Sequence, residues 1–518
     1  MLRVRKKSSL IFLLAIYILA GLLLIPVYKN QINPDGISYI NISYYLLEGR
    51  YIDAINAFWN PLYSIFLTPF LLFFDKLSST KVLSFVIGFF TLIGLRLLSN
   101  RYNLSKSLKD LLSLIIIPNL FYFAYSVVSA DFLVLCFYIY YLYLVFEPTY
   151  YDKIGKAILI GLLGFFAYLA RSYAFYFFIG HLSLISFTTF LRHASALIRK
   201  KIILSFVIGM TVFLILSSFW IGLVGLKYGK LSLGHEGGFV FASVAPDLKE
   251  PLFYNGLVKP VKNLDTSIWD DPIFLKKKSW SPLRSIDNLL YYLKLIYNNA
   301  HGIYVELAYF YHLSLPIVFG YLLYFLNLKN RSVRHRINLL TLLTFFLYPV
   351  GYILIYVEER FIWLNLVLVL FMGISLLQVV LNKLKFNALS RVLLLAIAVL
   401  FFTYYPIKKL VILASELKKG CIVCQTLEKE KVRNKNIASN HNWGFSLIYS
   451  FYSQSRYFGM TIPEADAQNI LDELRRNNIE YYLVWGESNL DEKLKKNYQL
   501  IAEVRPENLK ILKRKDIF

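Results

Sequence analysis

Apolar runs of about 17 to 25 residues, the length of a helix that crosses a bilayer, recur along most of this sequence. In hydrocarbon a backbone must satisfy its own hydrogen bonds, so such runs fold as packed helices. Composition agrees: 57% of the 518 residues are hydrophobic and 17% are charged, against about 25% charged in a soluble domain. The formal net charge of +24 fits cytoplasmic loops rather than a nucleic-acid face, because most basic clusters lie between apolar runs.

Basic residues collect in short cytoplasmic loops, which sets the threading. Arg3, Arg5, Lys6 and Lys7 hold the N-terminus inside, and residues 8–28 read as a signal anchor because no small-residue cleavage site follows them. Residues 61–74 are short for a span, and counting them as one puts Arg96, Arg101, Lys106 and Lys109 outside. An interfacial or re-entrant placement of that run restores the rule. Spans then fall at residues 82–98, 108–128, 132–147, 155–170, 173–191, 202–226, 303–328, 337–357, 361–381 and 392–408. Lys153, Arg199, Lys329, Arg331, Arg334 and Lys383 are all cytoplasmic in this register.

The expected fold is therefore an all-α polytopic membrane protein of about eleven helices over residues 1–410, in the plasma membrane with its N-terminus cytoplasmic. Its first outer loop is 29–80 and its long outer loop 227–300. Residues 411–518 change composition and read as a small extracytoplasmic α/β domain. A helix is expected over 461–477, with Pro463 near its start, and strands over 479–485, 500–504 and 509–512. Cys421 and Cys424 form a lone C-x-x-C that reads equally as a local disulfide or as two thiols, and Cys136 as inert packing.

The same register brings Asp35, Asp131, Arg171, Glu358, Glu359 and Arg360 to the outer ends of helices. Ionisable groups at membrane depth are costly and tend to mark function, so six on one face suggest a shared site. The strongest signal is the first outer loop. Pro34 and Gly36 flank Asp35 and let the chain turn at the membrane surface. An interfacial helix follows and ends at Gly49, then a second short helix over 52–58. Tyr39, Trp59 and Tyr63 read as aromatic walls of an interfacial site. In the long loop, His235, Glu236, Asp265, Trp269, Asp270, Asp271 and Trp280 read equally as part of a lid or as solvated loop, and His441 near Trp443 reads as structural.

The order D-G-x-x-Y from Asp35, E-G-x-Y from Glu48 and W-x-P-L-Y from Trp59 resembles the GT-C membrane glycosyltransferases. Protein O-mannosyltransferase-like enzymes and the lipid A aminoarabinose transferase are nearest in pattern. The likeness extends to S-x-x-S-A-D ending at Asp131, to Arg171 after a helix, and to E-E-R-F from Glu358, over most of residues 8–380. It implies a sugar donor on a polyprenyl phosphate or pyrophosphate and an extracytoplasmic acceptor that is protein, lipid or glycan. Asp35 would match the catalytic aspartate. Gly36 stands where some relatives carry a second acid, which leaves a divalent metal ion open; no motif demands a cofactor.

Such transfer needs a base for the acceptor proton and cations for the leaving phosphate. The expected roles are Asp35 as base, Arg171 and Arg360 as phosphate binders, Glu358 or Glu359 as a group orienting an arginine or the sugar, and Asp131 near the acceptor. A lipid-linked saccharide flippase or other transporter competes, but no inverted repeat is visible. A polymerase or ligase would carry its main loop later in the chain. An envelope-assembly scaffold would tolerate loss of Asp35.

Overall fold

The computed structural model describes residues 2–246, 256–275, 280–328, 333–462, 466–486 and 492–515. Lys329, Arg331 and Pro463 lie outside them. The chain divides into two compact units. Unit 1 takes residues 1–29, 81–237 and 282–414, and unit 2 takes residues 30–80, 238–281 and 415–518.

Unit 1 is helical. Among the described residues eight helices are long and apolar enough to cross a membrane, nine if one bent pair counts as a single span. Asp131–Val145 and Ile154–Ala170 are apolar but shorter, as is Leu62–Leu72 of unit 2, the stretch the charge rule sets aside. The expectation of about eleven spans counts the first two of these. The single span expected at 303–328 is instead Ile286–Phe310 followed by Ser314–Leu326, bent by 101°. Pro316 lacks the N–H that would continue the first helix, and the Ser314 N–H bonds the Tyr311 carbonyl to start the second. The long loop accordingly ends at Ser285, whose hydroxyl accepts from the Asn288 N–H as an N-cap. Ile154–Ala170 and Ala196–Tyr228 cross with backbones nearly touching. A Cβ on Gly161 would meet the Gly209 carbonyl at 2.4 Å, so glycine there sets the approach of the two helices.

Charges in unit 1 separate to the two ends of Asp131–Val145. Beyond its last turn Glu147 pairs with Arg101 and Lys156, and the Arg336 guanidinium donates to the Val145, Phe146 and Glu147 carbonyls. Asp131 opens the other end, about 22 Å away at 1.5 Å per residue.

Unit 2 joins residues 30–80, part of the long loop and the C-terminal stretch. Its sheet contains β1 (Asn436–Ser439), β2 (Arg456–Met460), β3 (Tyr481–Trp485), β4 (Tyr498–Val504) and β5 (Leu509–Arg514) in the order β2-β1-β3-β5-β4. β1 runs parallel to β2 and β3, while β5 is antiparallel to β3 and β4. All of β3 is buried, as a central strand should be. The expected C-terminal helix is Ala467–Arg476, capped by the Asp466 carboxylate. β1, β2 and the helix Trp443–Tyr452 were not foreseen. Cys421 and Cys424 are disulfide-bonded, and Cys136 is buried.

β2 is an edge strand, and the long-loop segment covers it. Tyr457 N–H donates to the Thr266 carbonyl at 2.7 Å and Val258 N–H to the Phe458 carbonyl at 2.8 Å. The Arg456 guanidinium donates to the Pro260 carbonyl at 2.8 Å. Such coverage leaves the edge no template for a foreign strand.

Candidate functional site

Three helices of unit 1 bring its charged residues together. Asp131 opens Asp131–Val145, Arg171 follows the last turn of Ile154–Ala170, and Glu358 to Arg360 lead into Trp363–Lys383. The Arg171 guanidinium donates to Asp131 from Nε and to Glu236 from Nη2, each at 3.1 Å. Arg360 lies between Glu358 at 2.6 Å and Asp131 at 3.7 Å. Both guanidiniums also lie against the Phe361 ring, with Cζ 5.0 and 5.3 Å from its centroid. The Ser129 hydroxyl donates to Asp131, which gives the S-x-x-S-A-D stretch a physical role.

The cluster thus sets two guanidiniums against three carboxylates, Asp131, Glu236 and Glu358. Asp131 is the shared, buried partner, while Glu358 is the most open, with 37% of its side chain exposed. In sequence, Glu236 reads equally as part of a lid or as solvated loop, because an acid in a polar loop is unremarkable until its arginine is known.

Of the two acids, one of which is expected to orient an arginine or the sugar, Glu358 contacts an arginine and Glu359 takes other partners. Its carboxylate accepts from the Tyr122 and Tyr405 hydroxyls at 3.0 and 3.1 Å and from Trp363 Nε1 at 3.4 Å. It holds helices together and does not orient an arginine; of the adjacent acids, Glu358 does that.

Asp35 belongs to unit 2. Asn33 is extended, Pro34 takes the first helical position, and Asp35 falls in the first turn of Pro34–Leu47, where the helix dipole favours an anion. Ten of that helix's fourteen residues are buried, so it is a core element of its unit. Tyr39, Trp59 and Tyr63 are likewise interior, at 1%, 2% and 0% exposure, and not walls lining a surface. Tyr39 packs on Trp59 and Tyr63 with centroids 5.3 and 4.9 Å apart, and these rings fix the helix that carries Asp35.

The long-loop segment clamps the same helix. Ser267 and Asp270 form a reciprocal capping box around the turn Ile268–Asp270. Asn41 reaches Thr266 and Asp270, Tyr45 donates to Asp265 at 3.0 Å, and Asn56 donates to the Asp270 carbonyl at 2.6 Å. Burial beside Asp265 pushes the Asp270 carboxyl up to about 7. Asp265 is raised too, chiefly by burial, against the pull of Lys262. Trp269 then points its indole N–H at Asp35 Oδ1, 3.3 Å away. In sequence, Trp269 reads equally as part of a lid or as solvated loop. Among the described residues no three His, Cys, Asp or Glu side chains are grouped to hold a metal ion.

No protein-family model matches the sequence, and neither does any curated protein. Solved structures do match the fold. ArnT from Cupriavidus metallidurans bound to undecaprenyl phosphate aligns with a TM-score of 0.58 at 10% identity, over 97% of this chain and 98% of that one. The apo state of the same enzyme gives 0.56 at 11% identity, over 96% and 97%. Archaeal oligosaccharyltransferase AglB from Archaeoglobus fulgidus, in complex with an inhibitory peptide and a dolichol-phosphate, gives 0.52 at 10%, over 99% of this chain and 75% of that one. The chain is a multi-pass membrane protein that shares its fold with these solved structures.

Proposed function

We propose that this protein is a glycosyltransferase that moves a sugar from a polyprenyl-phosphate or pyrophosphate carrier to an acceptor outside the cytoplasm. The acceptor nucleophile attacks the anomeric carbon and the bond from that carbon to the phosphate oxygen breaks. The lipid phosphate leaves with the electron pair, and Asp35 takes the acceptor proton. Arg171 and Arg360 hold the phosphate, as planar forks suited to bidentate contact. The plasma membrane, with the N-terminus cytoplasmic, is the setting this chemistry fits.

The observation that carries the reading is the buried group of Arg171, Asp131 and Arg360 in a fold also found with undecaprenyl phosphate or dolichol-phosphate bound. Asp131–Val145 is about 22 Å long, shorter than the roughly 30 Å hydrocarbon layer, which supports a reading in which the arginines meet a phosphate borne by a membrane lipid. Both arginines already have carboxylate partners. A phosphate enters by replacing the most open of these, Glu358, while Asp131 keeps the pair of guanidiniums in register.

The test is release of lipid phosphate from a panel of polyprenyl-phosphate sugars by the purified protein. Arg360→Ala should lower the rate by about 10²–10³-fold, the effect of removing one well-aimed donor. An unchanged rate in Arg360→Ala would contradict the assignment.

A further inference from the structure

We propose that Trp269 is the positioning residue for Asp35, and that the C-terminal α/β domain holds Trp269 in place, which makes that domain part of the reaction centre. The inference rests on the reading of Asp35 as proton acceptor, and every contact that carries it lies within unit 2. Trp269 Nε1–H donates to Asp35 Oδ1 at 3.3 Å. That bond fixes one carboxylate oxygen and so orients the other lone pairs toward an incoming hydroxyl or amine.

Four rings set the Trp269 indole. Phe58, Trp59 and Phe239 lie 5.4, 5.6 and 5.9 Å from it, centroid to centroid. The fourth is Trp443 of the C-terminal domain, at 5.4 Å. The Trp269 backbone is held as firmly. Its N–H bonds the Ser267 hydroxyl, and its carbonyl accepts from Trp59 Nε1 at 2.9 Å.

Trp443 occupies a telling place in its own domain. It opens the helix that follows β1, at the carboxyl ends of the parallel strands. Open α/β sheets bind ligands in that crevice where neighbouring strands connect in opposite directions, and here β1 lies between β2 and β3. The crevice of this domain meets the first outer loop instead. Asn440 bonds the Trp485 backbone in both directions, closing the strand ends. A Cβ on Gly444 would lie 3.7 Å from Pro34 Cγ, the residue before Asp35. The Tyr452 hydroxyl donates to the Asn30 carbonyl at 2.7 Å, four residues before Pro34. The sheet edge that could hold a small ligand is therefore built to hold the start of the helix carrying Asp35.

Two measurements on the full chain in lipid nanodiscs test this. With tryptophan indoles ¹⁵N-labelled, the seven tryptophans give one cross-peak each, and Trp269→Phe assigns the relevant one. Asp35→Ala should move that peak upfield through loss of its carboxylate acceptor, and Trp443→Leu should move it by changing the ring's seat. A Trp269 peak indifferent to Asp35→Ala would overturn the proposal, whatever the protein's activity. The second measurement replaces Trp269 by benzothienylalanine, which keeps the bicyclic ring and lacks only the N–H. Turnover should fall about tenfold or more with KM for the donor unchanged, as for loss of a hydrogen bond to a charged group. Full turnover in this analogue, with Asp35→Asn inactive, would remove the role of Trp269 alone. Full turnover in Asp35→Asn would remove the reading of Asp35 itself.

Discussion

Asp131 joins Arg171 across a 3.1 Å ion pair in which the two side chains are only 5% and 6% exposed. Two charges so enclosed must stay matched: removing one partner of a buried pair costs about 3–5 kcal/mol, because the other is left unpaired. Asp131→Asn and Arg171→Met should each lower the unfolding temperature sharply. The double variant should lose less than the sum of the two, read by a double-mutant cycle in detergent. Additive losses would mean the pair is not coupled.

Glu358 is the carboxylate that a lipid phosphate is expected to displace from Arg360. Glu358→Gln removes that competitor, so free polyprenyl phosphate should inhibit transfer about two- to fivefold more strongly, the range of a partly exposed ion pair. Weaker inhibition in this variant would show that Glu358 helps to bind the donor.

Glu359 sits beside it and does different work. Its partners are Trp363, whose N–H an amide oxygen can also accept, and Tyr122 and Tyr405, whose hydroxyls can turn to accept from an amide NH2. Glu359→Gln should leave turnover within about threefold of the native value, well below the 10²–10³-fold cost of losing an aimed charge. A loss of that larger size would return Glu359 to the reaction.

Asp270 makes the clamp sensitive to pH. Its carboxyl is raised from 3.8 to about 7 by burial and by Asp265. Between those values the folded chain holds a proton that the unfolded chain has released. Stability therefore falls as pH rises from about 4 to about 7, and the loss is complete above that. Thermal unfolding of the native protein should show this slope, and Asp270→Asn should flatten it. An unchanged slope in the variant would assign it to other groups.

The sequence announces some of this structure and hides the rest for physical reasons. Asp131, Arg171 and Arg360 stand out because each interrupts an apolar stretch, where a charge is costly unless it is paired. Glu236, Trp269 and Asp270 lie in a polar loop, where such residues read equally as part of a lid or as solvated loop. Their one local signal is the Ser267-x-x-Asp270 spacing of a capping box, which speaks of a turn and not of a site. Glu358 and Glu359 cannot be told apart by type, yet neighbours on a tight helical turn point about 120° apart and find different partners. β1 and β2 are short and largely buried, so they lack the alternation that marks half-exposed strands. The composition change near residue 411 is real, but the compact unit it belongs to also draws on residues 30–80 and 238–281, a long-range pairing that no local pattern encodes.

The role of Asp35 is tested most directly by transfer from a polyprenyl-phosphate sugar, comparing native protein with Asp35→Asn and following released lipid phosphate. The account predicts a folded variant with native unfolding temperature and a rate at least about 10²-fold lower, the lower range for a missing general base. A folded Asp35→Asn protein that transfers sugar at the native rate would contradict it.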